Sequence, residues 1–374
     1  MKNILYICSE SSSGMTPFGA NIINTAFQSA DLSVYAIVVS SKEINYADYM
    51  ENNNYRIKYL NSSDNLIRKV INKFYNYKLL CRIKTIVKEH QINYIHFLTG
   101  DYTLNRIIPK LKKTTKIVYT VHDLEAHETI HKKLKEILFE KYILWGVKKN
   151  ICNANILVTC SKSQFRQLKE KYPEKPVYFH QFPSLITANI VFGNDICKEM
   201  KDIGKYILFF GTVHLYKGIE LLYNAFLENK ILFDNYSLVI AGKGDLPFKR
   251  KNNEKKLLHI NRFIKDSEVK LLYCNASCVI YPYLSATQSG VLTLAYKFGV
   301  PLIVSDISYF LDNVKNGETA LVFKNQDKSD LTNKIEQLLF NTDLEEMKNS
   351  QKEYYEKNYS ASSMLKELKI IYQK

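Results

Sequence analysis

The chain alternates short apolar runs with stretches of helical spacing, and the alternation starts twice along its 374 residues. In the first half, runs rich in β-branched residues lie at 4–8, 32–39, 94–98, 116–121 and 156–160. Short apolar runs that alternate with helices are typical of buried parallel strands in repeated βαβ units. The first half therefore predicts an open α/β sheet.

A second series of apolar runs begins after a break and predicts a second sheet. Its members lie at 206–211, 236–242, 258–263, 277–283, 301–306 and 320–323. Between the two series, residues 182–205 keep no sustained period and contain Pro183 and Gly193, which is typical of a linker. We therefore predict a first domain at 1–183, a linker at 184–204 and a second domain at 205–357.

The amino terminus and the cysteines limit the class of protein. The apolar run after Lys2 is too short for a signal peptide, and no uninterrupted apolar stretch approaches the roughly 20 residues that span a bilayer. The seven cysteines include no CxxC pair, and Cys274 and Cys278 lack further ligands for a metal. These features predict a cytoplasmic protein with reduced cysteines and no metal site.

The net charge of +15 is concentrated in the first half. Residues 1–183 carry 27 Lys and Arg against 15 Asp and Glu, whereas residues 184–374 carry 25 against 22. The excess is densest between Arg56 and Lys149, where 20 basic residues face 8 acidic ones. Such a field attracts phosphates on nucleic acid, anionic lipid or an anionic substrate, and charge alone does not choose among them.

Two loops of the second half follow strands that end in glycine. Ligands of doubly wound sheets bind beyond the carboxyl ends of the strands, so these loops are candidate contacts. GTVHLYKG places Gly211 at a strand exit and Lys217 near a helix start, where an ammonium can meet a diphosphate. AGKGDL places Gly242 and Gly244 at the next exit, where they permit a tight turn near a nucleotide. Each loop alone also fits an ordinary turn.

A third loop joins the strand at 277–283 to a helix that Gly299 ends. Unpaired N–H groups and the positive end of the dipole make a helix start an anion site, and Gly290 has no side chain to cover them. A phosphate fits there. The alternative is a simple N-cap by Thr287 or Ser289.

In the first half, the strand at 116–121 runs directly into His122 and Asp123. A histidine at this edge can bind a sugar or move a proton, and Asp123 could orient it. The alternative for His122 is a structural role, and His127 is expected to be structural or to face an acceptor.

The loop after the first strand, residues 9–21, contains Gly14 and Gly19. It lacks the tight GxGxxG spacing of a dinucleotide site. This difference argues against an NAD enzyme and suits a looser acceptor loop.

Taken in order, four segments resemble the retaining glycosyltransferases of the GT-B fold, specifically family 4 (group 1), of the bacterial surface-polysaccharide type. They are FGTVHLYKG, VIAGKGD, HINRFIKDSEVKLLYCNASCVIYPY and SGVLTLAYKFGVPLIVSD. The resemblance covers nearly the whole chain. It implies two Rossmann-like, doubly wound parallel-sheet domains facing across a cleft, with residues 358–374 crossing back to the first domain as a helix.

The resemblance also implies roles for the candidate residues. Lys217 would bind the donor diphosphate, the backbone around Phe263 would contact the base, and His122 would face the donor sugar near the reacting carbon. The implied catalytic residues are His122, Lys217 and Asp123. The implied donor-binding residues are Gly211, Thr212, Lys217, Gly242, Gly244, Phe263, Ile264, Thr287, Gln288, Ser289, Gly290 and Val291. The implied acceptor-binding residues are Gly14, Gly19 and His127.

The chain departs from the family pattern at three positions. Two glutamates that usually flank the donor helix are replaced by Ala286 and Leu294, and the basic residue after the strand-exit glycine is Thr212. We infer that ribose and sugar are held by neutral groups, Gln288, Thr287 and backbone.

The predicted function is transfer of a sugar from a UDP- or GDP-sugar to a saccharide or a polyprenyl-pyrophosphate-linked acceptor, with retention and without metal or cofactor. The helical stretch 130–149 adds a membrane hypothesis, because its apolar and basic residues fall largely on different faces. Its apolar face holds Ile130, Leu134, Ile137, Leu138 and Trp145. Its lysines are Lys132, Lys133, Lys135, Lys148 and Lys149. Such a helix could lie at the inner face of the cytoplasmic membrane, or be an ordinary domain helix with a solvated basic face.

Two other functions fit parts of the sequence. A sugar-nucleotide epimerase of the same fold would need acidic catalytic residues, for which Asp123 and Glu125 are the prominent candidates near His122. A basic nucleic-acid-binding protein would fit the charge, but no RNA- or DNA-binding motif is present, and no nucleic acid is expected as a partner.

Overall fold

The computed structural model describes residues 1–12, 14–51, 54–62, 76–99, 102–124, 134–251, 256–341 and 343–373. The described residues form two compact units. The first unit takes its residues from Met1–Ala126, Ile130–Ser184 and Ser360–Lys374, and the second from Leu185–Tyr359.

The first unit is built on a seven-stranded sheet in the order β3-β2-β1-β4-β5-β6-β7. Every pairing in it is parallel. The strands are β1 (Lys2–Cys8), β2 (Leu32–Ser40), β3 (Ile57–Asn61), β4 (Tyr94–Phe97), β5 (Lys116–Thr120), β6 (Ile156–Thr159) and β7 (Val177–Phe179). The described helices are α1 (Met15–Phe27), α2 (Tyr77–His90), α3 (Ile108–Leu111), α4 (Leu134–Asn153), α5 (Lys162–Lys171) and, at the carboxyl terminus, α14 (Ala361–Ile371).

The second unit is built on a six-stranded parallel sheet in the order β10-β9-β8-β11-β12-β13. The strands are β8 (Tyr206–Phe210), β9 (Ser237–Ala241), β10 (Leu257–Ile260), β11 (Cys278–Tyr281), β12 (Leu302–Ser305) and β13 (Leu321–Phe323). The helices are α6 (Ala188–Phe192), α7 (Ile219–Glu228), α8 (Lys230–Asn235), α9 (Asp266–Cys274), α10 (Val291–Phe298), α11 (Ser308–Leu311), α12 (Lys328–Asn341) and α13 (Leu344–Tyr359). Four short 3₁₀ turns complete the described elements, at Tyr46–Tyr49, Tyr102–Arg106, Lys198–Met200 and Leu215–Lys217.

The two parallel α/β sheets confirm the fold class predicted from the apolar runs. The apolar runs did not predict two strands, β3 and β7, which both lie at edges of the first sheet. Each has only one buried residue, Ile57 and Val177 respectively. An edge strand is covered on fewer sides, so its sequence lacks the continuous apolar run of a central parallel strand.

No described helix combines the length and the apolar content that a membrane-spanning helix needs.

Helix α14 returns the carboxyl terminus to the first unit, where it packs against α1. Tyr372, the residue after this helix, is fully buried, and its hydroxyl lies 2.5 Å from His96 Nδ1 on β4. The same hydroxyl donates to the Tyr6 hydroxyl on β1 at 3.0 Å, and His96 Nε2 lies 2.9 Å from Thr120 Oγ1 on β5. A chain of buried polar groups thus ties the end of the chain to three central strands.

Replacing Tyr372 with Phe should destabilise the protein by about 1–3 kcal/mol, because His96 and Tyr6 would each lose a buried partner. Burial holds the pKa of His96 well below its usual 6.5, so the ring cannot recover a partner by taking up a proton at neutral pH. Chemical denaturation monitored by circular dichroism measures the effect. Tyr55→Phe is the control, since Tyr55 is 76% exposed and should change stability by less than about 0.5 kcal/mol. Equal stabilities of the two variants would contradict a structural role for this hydroxyl.

Candidate active site

Glycines let the loops after β8 and β9 approach to backbone contact. Gly242 has a φ of +152°, and a Cβ atom placed on it would lie 2.0 Å from the Gly211 carbonyl oxygen. The Gly211 N–H donates to the Ala241 carbonyl at 3.0 Å, and the Val213 N–H donates to the Lys243 carbonyl at 2.9 Å. Neither the backbone angle nor the spacing accepts a larger residue at position 242. The two strand exits therefore form one joined edge.

The loop after β10 is connected to this edge. The Gly244 N–H donates to Asn261 Oδ1 at 2.9 Å, and a Cβ on Gly244 would lie 2.6 Å from the Val213 carbonyl oxygen. Two residues further on, Phe263 leaves 45% of its surface exposed, whereas Ile264 is buried in the core. Phe263 thus presents an apolar ring beside the glycine loops, a position that suits stacking on a base.

Lys217 is a buried cation at the same edge. Only 7% of its surface is exposed, and its Nζ lies 3.8 Å from the centre of the Tyr283 ring and 5.2 Å from that of Tyr216. Burial lowers its pKa from 10.5 to about 7. Gly218 follows with φ +64°, and a Cβ there would lie 1.9 Å from the Pro282 carbonyl oxygen. The turn therefore packs tightly against the end of β11 and fixes where the ammonium lies.

Helix α10 begins beside these loops without a side-chain cap. No side chain caps Gly290, so the alternative of an N-cap by Thr287 or Ser289 is not realised. In the described part of the chain, the N–H groups of Val291 and Leu292 have no acceptor. Donors of this kind at a helix start favour an anion.

The expectation that Gly290 leaves the helix start open is wrong, because Gly290 itself is buried. The Gly290 carbonyl accepts from the Thr293 hydroxyl at 2.6 Å. Val291 leaves only 8% of its surface exposed and lies 3.8 Å from the position of a Cβ on Gly211. An anion at this helix start would therefore be enclosed, and its attraction to the N–H donors would be screened less than in water.

The loop before α10 is held by tyrosines. The Ser289 carbonyl accepts from the buried Tyr309 hydroxyl, and Ser289 lies close enough to the Tyr283 phenol to oppose the rise that burial gives its pKa. Thr287 and Gln288 are half-buried. The structure thus places this loop against Tyr283, and Lys217 Nζ lies over the ring of the same tyrosine.

None of the three positions that depart from the family pattern carries a charged side chain. Leu294 is buried in the core of the second unit, and Ala286 is half-buried against the same core. Thr212 is half-buried between the two joined strand exits.

Sequence reasoning missed Tyr283, Asn261 and Gly218 as members of this site. In the sequence, Tyr283 marks only a strand end and Gly218 a loop end, and Asn261 lies outside the stretch around Phe263 that is expected to contact the base. The Lys217–Gly218 pair was a readable signal, since glycine after a lysine at a helix start predicts a left-handed turn. Nothing in the sequence spacing predicts that Lys217 packs on the Tyr283 ring.

In the first unit, His122 follows β5 and is 9% exposed. Its Nε2 lies 2.7 Å from the Leu98 carbonyl oxygen, which can only accept, so Nε2 carries the proton and Nδ1 is the acceptor atom of the neutral ring. The ring packs edge-on against Phe18 at 5.0 Å, and Gln164 Nε2 donates to the His122 carbonyl at 3.0 Å. Asp123 is half-buried. The imidazole is thus held in one tautomer and one orientation.

The acceptor residues proposed from sequence lie in different environments. Gly14 is exposed at the start of α1, and a Cβ there would meet no atom within 4 Å. Gly19 is buried in α1, where a Cβ would lie 2.6 Å from Cys8 Sγ, so its missing side chain lets α1 pack on β1. A buried packing position explains this glycine better than contact with an acceptor. His127 lies outside the described residues.

Among the described residues, no three His, Cys, Asp or Glu side chains come together as metal ligands would.

Replacing Gly242 with Ala should force the β8 and β9 exits apart, because the added methyl group would overlap the Gly211 carbonyl. We expect a loss of at least about 2 kcal/mol in unfolding free energy. Gly204→Ala is the matched control, since a Cβ there meets no atom within 4 Å. Denaturant titrations of both variants decide the matter, and an unchanged midpoint for Gly242→Ala would contradict the close approach.

Comparisons with known proteins add to this geometry. Residues 198–358 match the sequence model of the family described as "Glycosyl transferases group 1". No curated protein sequence matches the chain significantly.

Solved structures of similar shape cover almost the whole chain. Sucrose-phosphate synthase from Thermosynechococcus elongatus is 15% identical, with a TM-score of 0.69 over 100% of this chain and 98% of that one. Anabaena HepE in complex with UDP and glucose is 11% identical, with a TM-score of 0.70 over 99% of each chain. A mutant of S. aureus TarM in complex with Fondaparinux, alpha-GlcNAc-glycerol and UDP is 13% identical, with a TM-score of 0.70 over 100% of each chain.

At these identities the structural likeness shows the fold, whereas the family match points to the activity. The match spans the glycine loops, Lys217 and the start of α10. The chain is thus a glycosyltransferase of the GT-B fold, and residues 198–358 of its second unit match the group 1 glycosyltransferase family.

Proposed function

We propose that this chain is a retaining, family 4 type enzyme that transfers a sugar from a UDP- or GDP-sugar to a saccharide or polyprenyl-pyrophosphate-linked acceptor in surface-polysaccharide synthesis. One observation carries the proposal. A buried ammonium and an uncapped helix start lie on the joined loops of a group 1 glycosyltransferase domain. Among the similar structures, HepE was solved with UDP-glucose and TarM with UDP, which favours UDP over GDP as the first donor to try.

The chemistry of the transfer explains why positive charge is needed at this edge. As the glycosidic bond to the diphosphate breaks, negative charge grows on the leaving group and the sugar gains oxocarbenium character. Preorganised donors in a buried site stabilise such charge most strongly. Lys217 and the N–H groups of Val291 and Leu292 would receive it. In this proposal the protein itself neutralises the diphosphate, and the transfer proceeds without a metal ion or a cofactor.

The nucleoside would lie across the glycine loops. Gly242 and Gly244 leave room for a ligand because they lack side chains, and the exposed Phe263 ring offers a surface for the base. Thr287 and Gln288, both half-buried, would hold hydroxyl groups of the donor through neutral hydrogen bonds.

His122 would act on the donor sugar as a hydrogen-bonding group. The bond between its Nε2 and the Leu98 carbonyl fixes the orientation of the ring that would meet the sugar. Asp123, next in the chain, would stabilise the positive charge that grows nearby.

The test of the function is a reaction with UDP-glucose, UDP-N-acetylglucosamine and GDP-mannose, each with a panel of saccharide acceptors. Release of UDP or GDP together with a new glycoside is expected, and proton NMR of the anomeric signal reports retention. An inverted product would contradict retention. Conversion of the donor to an epimer without an acceptor would contradict transfer.

The titration of Lys217 gives the donor step a pH dependence. The ammonium is present below its pKa of about 7 and is lost as the pH rises through that value. We therefore expect kcat/KM for the donor to fall above pH 7 by about tenfold per unit at the limit. Lys217→Ala should lower turnover about tenfold or more below pH 7, and the difference from the wild type should narrow as the pH rises and the ammonium is lost.

Lys217→Arg separates charge from structure, because a guanidinium stays charged throughout this range. Its kcat/KM should not show the fall above pH 7, even where its activity is lower. Lys230→Ala, at an exposed lysine of the same unit, should keep the wild-type profile. A wild-type profile in Lys217→Arg would remove Lys217 from donor binding.

Helix α4 supports the membrane part of the proposal. It exposes Leu138 (58%), Phe139 (47%) and Trp145 (47%), with Lys148 and Lys149 exposed near its end. Ile137 is half-buried, and nothing before position 134 belongs to the described part of this helix. Exposed apolar side chains flanked by lysines suit the surface of an anionic membrane, where a lipid-linked acceptor would be presented.

Replacing Leu138 and Phe139 together with Ser should reduce co-sedimentation with vesicles of phosphatidylcholine and phosphatidylglycerol several-fold, because the apolar contact with lipid is lost. The control is Phe192→Ser, which removes a 79% exposed ring from the second unit. Equal sedimentation of the two variants, or no dependence on the anionic lipid, would contradict membrane docking through α4.

A further inference from the structure

A hollow of about 450 Å³ lies in the first unit at the amino ends of the strands. Its lining includes residues at the starts of three adjacent strands, Lys2 on β1, Tyr94 on β4 and Lys116 on β5. The loop before β5 adds Lys112 and Lys113, both exposed. Four lysines therefore border one concave surface.

The hollow is separate from the proposed transfer site. Lys116 begins β5, and His122 follows its other end. Six residue steps at about 3.3 Å each place the two roughly 20 Å apart, on opposite edges of the sheet. Doubly wound folds bind their substrates at the carboxyl edge, so this concentration of lysines is not explained by sugar transfer.

Two amides in the lining are oriented by the backbone. Asn93 Oδ1 accepts from the Asn3 N–H at 2.8 Å, and Asn155 Oδ1 accepts from the Ile117 N–H at 2.9 Å. Their oxygens are thus fixed against β1 and β5, the strands on either side of β4. In the described part of the chain, the Nδ2 groups of Asn93 and Asn155 have no acceptor. Both side chains therefore offer donors whose positions are set before any ligand arrives.

The charges that border the hollow are not balanced by its own lining. None of the ten described residues that line it is Asp or Glu. Lys2 and Lys116 both lie over the Tyr94 ring, with their Nζ atoms 6.0 Å and 5.6 Å from its centre. Ammonium groups that border one concave surface repel one another, and an anion bound in the hollow would offset that repulsion.

The charge of Lys112 also acts on a neighbouring lysine, Lys175. Lys175 Nζ donates to the carbonyls of Cys152 and Ala154, at the end of α4. Burial, and then the charge of Lys112, lower its pKa. Lys112 is thus near enough to act on the charge of Lys175.

We propose that this hollow binds a small anion with two or more phosphate groups. Ammonium and amide N–H groups match phosphate oxygens, which only accept. Several lysines match a multiply charged ligand rather than a single carboxylate. The volume lies within the range of about 300–1,000 Å³ that is usual for small-molecule sites, well beyond the size of a single inorganic ion.

Isothermal titration of the full-length chain with inorganic pyrophosphate tests the proposal, with saturating UDP present so that the proposed donor site is already filled. The first variant is Lys112→Ala with Lys113→Ala, and its matched control is Lys148→Ala with Lys149→Ala, which removes the same charge from exposed positions on α4. We expect the first pair to weaken binding by about tenfold or more and the control pair by less than about threefold. Equal losses in both pairs, or no binding by the wild type, would overturn the proposal.

Asn155→Asp is a second, sharper variant. The carboxylate can still accept from the Ile117 N–H, so the fold is kept, but the donor that faces the anion becomes a negative charge. Binding of pyrophosphate should fall about tenfold or more while the melting temperature stays within about 2 °C. Wild-type affinity in this variant would overturn the proposal.

Vesicles distinguish the two sources of such phosphates. If the natural ligand is a free phosphorylated molecule, phosphatidylcholine vesicles with phosphatidic acid should sediment the wild type and the Lys112/Lys113 variant equally. If it is a lipid headgroup, the variant should sediment less. Activity with UDP-sugars is measured in parallel, so that failure of the anion site and failure of the transferase proposal appear as different results.

Discussion

The candidate donor edge of the second unit depends on how closely neighbouring backbones approach one another. Gly242 leaves no room for a side chain against the Gly211 carbonyl, and Gly218 leaves none against Pro282. This approach lets the loops after β8, β9 and β11 share one surface, on which Lys217 lies over the Tyr283 ring. The buried ammonium and the uncapped start of α10 then become parts of a single electropositive region, because short glycine turns place them there.

The central strands were predictable because burial on both faces leaves a direct mark in the sequence. Runs such as those of β1 and β9 are continuous and β-branched, whereas β3 and β7 lie at sheet edges and lack that mark. The positions of Lys217 and Gly242 were also readable, since a lysine at a helix start and a glycine at a strand exit are local features.

Contacts between residues far apart in the chain could not be predicted from the sequence. The contact of Lys217 with Tyr283 joins residues far apart in the chain, and the burial of Gly290 depends on what surrounds it in the fold. Gly19 shows the opposite error, since a loop glycine next to a strand resembled a ligand position. It is instead required by the packing of α1 on Cys8.

Basic residues of the first unit occur at two separate features. Exposed lysines flank the apolar face of α4, while Lys2, Lys112, Lys113 and Lys116 border a hollow with amide donors. The second unit is nearly balanced in charge and uses one buried lysine. A single positive field therefore need not mean a single partner.

The central claim is that the diphosphate of a nucleotide sugar binds between Lys217 and the start of α10. A crystal structure of the protein with UDP measures this most directly. The account predicts phosphate oxygens within hydrogen-bonding distance of Lys217 Nζ and of the N–H groups of Val291 and Leu292. UDP bound elsewhere, with these donors still enclosed and empty, would contradict it.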